Sequence, residues 1–174
     1  MRVKSTTAPV KRRMRIPPNR NGEFKPHIIP DGMCVVVDTR EQNPLWLPKP
    51  PKGLVMCRDT LTDGDYSIRG FEHCFAVERK QNDIFAYLTS ERKKTKEKLL
   101  RMKELEFKAL AIEYEECELF QPQFFTQISP EVVRQSLVSF EVKYGLHVFY
   151  GDRKALERKV LDWMIYYWKY KMGS

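Results

Sequence analysis

Residues 74–80, Cys-Phe-Ala-Val-Glu-Arg-Lys, run from four apolar side chains straight into three charges. An apolar run of this length reads as a strand buried in a sheet. Three successive charges at the end of such a strand are unusual. Alternation along a strand puts Glu78 and Lys80 on one face and Arg79 on the other. The same tripeptide recurs as Glu91-Arg92-Lys93 and Glu157-Arg158-Lys159. Those copies lie in amphipathic helical stretches, where such charges form a solvated face with i, i+4 pairing. Only the first copy ends an apolar strand.

The rest of the chain supplies the partners of that strand. Cys34-Val35-Val36-Val37 is a short β-branched run that delivers Asp38 at its end. A proline-rich loop follows from Asn43 to Gly53. Leu54-Val55-Met56-Cys57 is a second strand, Asp63-Gly64 a turn signal, and Tyr66 to Arg69 a short strand. Helical periodicity begins after Asn82-Asp83, either of which suits a cap, with Ile84, Phe85 and Leu88 on one face. Leu99, Met102 and Leu105 continue it. Ala109 to Ile112 is a strand leading into Glu113. Ser129-Pro130 opens a helix with the stripe Val133, Leu137, Phe140 and Tyr144, and Gly145 stops it. Leu146 to Tyr150 is a last strand. Asp152 caps a final helix that aligns Leu156, Val160, Trp163 and Tyr167. This order predicts a single α/β domain with a mixed central sheet flanked by helices.

At 174 residues and 42% hydrophobic content the chain can bury one sizeable core. No apolar run approaches membrane-spanning length. The N-terminus lacks the apolar stretch of a secretory signal, so an intracellular protein without membrane association is expected. Cys34, Cys57, Cys74 and Cys117 form no C-x-x-C pair and read as free thiols. His27, His73 and His147 lack zinc-ligand spacing and read as structural or surface residues. The net charge of +8 is concentrated at one end: residues 1–30 hold eight Lys and Arg against Glu23 alone. With five prolines and little apolar periodicity, residues 1–30 are expected to be a flexible basic arm, and residues 31–174 the folded domain.

The loop before the central strand ends in Gly64-Asp65, which can bring Asp65 beside Glu78. Two adjacent carboxylates repel unless a cation sits between them. Mg²⁺ fits that need: a hard ion with oxygen ligands that keeps some of its waters, with Mn²⁺ as a substitute. Lys80 would orient or deprotonate an attacking water, or stabilise developing negative charge. Asp38, at the end of its own strand, is a further carboxylate for the metal. Glu41 suits either a second metal site or a contact with Arg79. The chemistry implied is metal-dependent hydrolysis of a phosphodiester.

Val36-Val37-Asp38-Thr39-Arg40-Glu41, then Gly64-Asp65-Tyr66, then Val77-Glu78-Arg79-Lys80 with Asp83 close behind, resemble the XPF-type nuclease family. Its signature is GD, a spacer, ERK, three residues and D. The resemblance runs from about residue 34 to about 170. It implies a restriction-endonuclease-like fold and cleavage of flaps, forks, bubbles or Holliday junctions in DNA repair or recombination. Asp65 and Glu78 become metal ligands, Lys80 the catalytic lysine, and Asp38, Glu41 and Arg79 active-site residues. The pattern departs at Asp83, which only Gln81 and Asn82 separate from Lys80. It stays a further candidate, either at the site or as a helix cap.

Many members carry tandem helix-hairpin-helix motifs after this domain, and no such hairpin follows Trp163. A standalone domain of the phage and bacterial kind is therefore expected, placed in the cytoplasm or nucleoid (the host's, if phage-encoded). Its DNA would be gripped by the arm, including Arg12 and Arg13, and by Lys94, Lys98 and Arg101, aligned at i, i+4, i+7. The aromatics Trp163, Tyr166, Tyr167, Trp168 and Tyr170 are too dense for one core face. They read as core first, a homodimer interface second and base stacking third. The alternative function is a non-catalytic DNA-binding or scaffold subunit, against which Asp65, Glu78 and Lys80 all argue.

Overall fold

The apolar runs become six strands of one sheet in the computed structural model, which describes residues 27–173. In chain order the elements are β1 (Cys34–Asp38), β2 (Val55–Asp59), β3 (Tyr66–Ile68), β4 (Phe75–Lys80), α1 (Ile84–Leu88), α2 (Arg92–Met102), β5 (Phe107–Glu113), α3 (Glu116–Leu119), α4 (Pro130–Tyr144), β6 (His147–Gly151) and α5 (Arg153–Met172). The strands lie in the order β2-β1-β3-β4-β5-β6. β3 is antiparallel to both β1 and β4, whereas β1/β2, β4/β5 and β5/β6 are parallel. The sheet is therefore mixed, as the sequence predicts.

Alternation divides the core between the two faces of this sheet. Phe75 and Val77 of β4 join Ala109 and Ala111 of β5 in a cluster under α5. Ala76, Leu110 and Ile112 point the other way, into a cluster with α1, α2 and α4. Each face buries large apolar side chains, which is the main favourable term holding such layers together. Helix α4 is capped as its sequence indicates: the Ser129 side chain accepts from Val132 N, Pro130 opens the helix, and Gly145 adopts φ 64°. Asp152 likewise accepts from Ala155 N at the start of α5.

Three details differ from the sequence reading. The first helix takes no side-chain cap from Asp83, because that carboxylate accepts instead from Gln81 N at 2.8 Å. Helix α2 stops at Met102, and Leu105 packs from the following turn. The short α3 has no apolar periodicity to announce it. Among the aromatics of α5, Tyr167 is buried and Trp163 and Trp168 pack against the core, while Tyr166 and Tyr170 are 72% and 79% exposed.

Of the expected arm, residues 1–26, with Arg12 and Arg13, lie outside the described residues. Within its last four residues, Ile29 packs against the core and His27 Nε2 lies 2.8 Å from Asp162 Oδ1. Among the described residues no helix is long and apolar enough to cross a membrane.

Candidate active site

The site forms at the end of β4, where the apolar strand turns charged. Gly64 makes the approach possible. Its φ is +80°, and a Cβ there would lie 3.0 Å from Ala76 Cβ and 3.0 Å from the Val77 carbonyl oxygen. The next residue is fixed by three hydrogen bonds. Asp65 N donates to Val77 O at 2.8 Å, Asp38 N donates to Asp65 O at 2.9 Å, and Arg79 N donates to Asp65 Oδ2 at 2.7 Å. Gly64→Ala is expected to lower stability by about 2 kcal/mol or more, from the left-handed backbone and the contact with a main-chain oxygen together. Thermal unfolding checks it; a melting temperature equal to wild type would show that the loop does not need a glycine.

Asp65 sits close enough to Glu78 for the Glu78 charge to disfavour its ionisation. Burial, then the neighbouring Glu78, pushes the Asp65 carboxyl up to about 7 from its ordinary 3.8. Glu78 is 1% exposed and is compensated by two ammoniums. Lys80 Nζ lies 2.9 Å from Oε1, and Lys98 Nζ lies 2.5 Å from Oε2. The Lys80 contact is ionic rather than directed, and Oε1 accepts no hydrogen bond. Lys80 also reaches Asp83 Oδ2 at 3.1 Å and lies 5.0 Å from the centroid of the Tyr87 ring. Burial works against its charge, but Glu78 outweighs burial and holds the ammonium above its usual range. Lys80 is thus a cation at neutral pH.

Arg79 projects to the opposite face of the sheet, as period two requires. It is 5% exposed. Its Nη1 donates to Asn43 O at 2.9 Å and lies 3.3 Å from Glu41 Oε2. Its Nε and Nη2 both donate to Glu113 Oε2. Asp38 is closed off within its own loop. Its Oδ1 accepts from Arg40 N and Nε at 2.8 and 2.7 Å, and its Oδ2 from Arg40 Nη2 and Leu61 N at 2.9 and 2.8 Å. The Arg40 guanidinium holds the Asp38 carboxyl down at about 2.

The structure thus gathers Asp65, Glu78, Lys80 and Asp83 on one face of the sheet, and Glu41 with Arg79 on the other, with Asp38 engaged by Arg40. The α2 row separates. Lys94 is exposed, Lys98 turns inward to Glu78, and Arg101 pairs with Asp63 at 3.1 Å, one residue before Gly64. Sequence reasoning passed over Lys98 as a partner of Glu78, Glu113 as the main partner of Arg79, and Tyr87 as a wall of the site. Glu113 did leave a signal: it ends β5 as Glu78-Arg79-Lys80 ends β4, two residues beyond Ala111, the register partner of Arg79.

A mixed sheet with a loop aspartate, a strand glutamate and a lysine gathered at one strand end defines a restriction-endonuclease-like domain. Solved structures share the architecture. XPF from Aeropyrum pernix matches with TM-score 0.54 and 21% identity over 72% of this chain and 58% of that one. A structure of XPF from Aeropyrum pernix in complex with DNA matches with TM-score 0.54 and 19% identity, over 74% of this chain and 65% of that one. The chain therefore spans about three fifths of the length of these proteins. No curated protein matches. The profile of the ERCC4 domain matches residues 26–155. The chain belongs to the ERCC4 domain family.

Proposed function

We propose that this chain is a metal-dependent endonuclease that hydrolyses phosphodiester bonds in branched or junction DNA (flap, fork or Holliday junction) during repair or recombination. The observation that carries the reading is the pair of half-buried Asp65 and buried Glu78, one held up by desolvation and repulsion, the other covered by two ammoniums. Charging Asp65 beside Glu78 stays costly even so, and a divalent ion between the two carboxylates would offset that cost. The donor set fits a hard divalent ion: two carboxylates, with Glu78 already drawing cations to both of its oxygens. Among the described residues no group of three His, Cys, Asp or Glu gathers on one point. The protein's share would then be two side chains, leaving positions for water and phosphate oxygens, which suits Mg²⁺ and its substitute Mn²⁺. When bound there, the ion supplies Lewis acidity to the phosphate and makes a bound water more acidic.

The chain's own residues account for the remainder. Lys80, kept protonated by Glu78, acts as a fixed positive charge facing the phosphorane-like oxygens, where negative charge grows in the transition state. Asp83 and Tyr87 keep its ammonium from swinging away. Arg79 anchors the strand end from beneath and gives its backbone N–H to Asp65, so the carboxylate is oriented before any ligand arrives. The DNA strand would approach over exposed Lys94 and, from the other end of the chain, the basic arm.

A panel of labelled flap, fork, Holliday-junction and linear duplex DNAs, incubated with Mg²⁺ and either wild type or Glu78→Ala, tests the reading. Branched substrates should be cut by wild type alone. Equal cleavage by a pure Glu78→Ala preparation would remove Glu78 from the chemistry. Binding without cleavage by wild type would favour a scaffold subunit.

A further inference from the structure

Glu78 carries more positive charge than one carboxylate needs. Lys80 and Lys98 both contact it, one on each oxygen. The two lysines are not equivalent. Lys80 shares the strand with Glu78 and has two further holds, Asp83 Oδ2 and the Tyr87 ring. Lys98 comes from the middle of α2, a separate element, and Glu78 is its single ion-pair partner among the described residues. Its side chain is 28% exposed against 15% for Lys80, so it reaches the carboxylate from the solvent side. It is also a lysine: a point charge on a four-carbon stem that can swing, where an arginine fork would lock.

From this asymmetry, and resting on the metal-site reading above, we infer that Lys98 is a displaceable counter-ion: its ammonium occupies the cation position on Glu78 Oε2 in the metal-free protein, is expelled when a divalent ion binds, and then turns to a phosphate of the bound DNA. The electrostatics lead there directly. Two ammoniums and a divalent ion cannot share the same two carboxylates without strong like-charge repulsion. The cation with no other anchor leaves. Once outside, the Lys98 charge lies at the rim of the site, where the nearest available anion is a phosphate of the substrate. Two consequences follow. Without DNA, Lys98 competes with the metal and weakens its binding. With DNA, a phosphate that captures Lys98 strengthens metal binding, and by linkage the metal strengthens DNA binding to the same degree. Lys98 is in this sense a positioning residue that couples the two ligands.

The test is calorimetric titration of Mn²⁺ into wild type, Lys98→Met and Lys98→Gln, without DNA and again with a saturating, cleavage-resistant phosphorothioate junction. Circular dichroism verifies that each protein is folded, and Lys98→Gln keeps a polar contact to Glu78 should the methionine variant fail to fold. Without DNA, both variants should bind Mn²⁺ about tenfold tighter than wild type, the competing charge being gone. Adding the junction should tighten Mn²⁺ binding to wild type by a larger factor than to the variants, which keep only the direct contact of phosphate with the ion. Variants that lose thermal stability but bind Mn²⁺ as wild type does would overturn the inference while leaving the metal site standing. Failure of wild type itself to bind Mn²⁺ would overturn both.

Discussion

Asp65→Asn is expected to be more stable than wild type in metal-free buffer at pH 8, by up to about 4 kcal/mol, and to lose cleavage by at least about a thousandfold. The first part is the less intuitive, because the substitution touches a half-buried residue of the proposed site. Its sign follows from proton linkage. In the unfolded chain Asp65 ionises at its ordinary 3.8, whereas in the folded protein burial and Glu78 raise it to about 7. Between those values the native state holds a proton that the unfolded state has released. Stability therefore falls as pH rises from about 4 to about 7 and levels off above that. Asparagine removes the ionisation. Its side-chain oxygen can still accept from Arg79 N, and its amide can donate to Glu78. Urea unfolding of both proteins from pH 4 to pH 8 in chelator measures this directly. The wild-type curve should slope downward and the variant's should be flatter. A variant less stable than wild type at pH 8 would show that the carboxylate is ionised and satisfied without metal. Mg²⁺ should also stabilise wild type and not the variant at pH 8, since the ion would bind the paired carboxylates of the folded state and not those of the unfolded chain.

The sheet was legible because its strands announce themselves by composition and its helices by their caps. Cys34-Val35-Val36-Val37 and Cys74 to Val77 are too apolar to lie outside a core. Ser129-Pro130, Gly145 and Asp152 satisfy helix-end groups locally, so the sequence alone locates them. What escaped was whatever depends on which of several partners a side chain takes. Asp83 precedes an apolar stripe and reads as a cap, yet its carboxylate turns back to Gln81 N and Lys80.

Within the site, period two sufficed to place Glu78 with Lys80 and to send Arg79 away. The Gly64-Asp65 turn sufficed to bring a second carboxylate up. Helical spacing did less. It aligned Lys94, Lys98 and Arg101 on one face of α2, but spacing within a helix says nothing of what that face meets. Only the docking of α2 above the Gly64 loop decides that Lys98 meets Glu78 and Arg101 meets Asp63. Asp38 shows the complementary case. Its place at a strand end is plain, but the guanidinium two residues later claims both oxygens. An Asp-x-Arg spacing after a strand is the local sign of that loop closure.

Arg79→Met is expected to cost about 3 kcal/mol or more, though the side chain faces away from the acid pair. Methionine fills a similar volume, so packing is nearly conserved and the loss is electrostatic. Burial alone would depress the Arg79 pKa; Glu113 and Glu41 reverse that, and the guanidinium is held above its ordinary value. Those two carboxylates are themselves only 18% and 12% exposed. Removing the cation between them leaves two partly buried like charges facing each other, with the Asn43 carbonyl short of a donor as well. If that is the origin of the loss, a further result follows. Arg79→Met combined with Glu113→Gln should recover part of the stability, because a neutral amide replaces one uncompensated charge. Urea midpoints for the three proteins decide the matter. A single variant within about 1 kcal/mol of wild type would mean that these acids are well solvated without Arg79. A loss that the second substitution leaves untouched would place the effect in packing instead. Because Arg79 N also donates to Asp65, the electrostatic account predicts that a strand end loosened by the lost ion pairs disturbs stability and the orientation of the Asp65 carboxylate together.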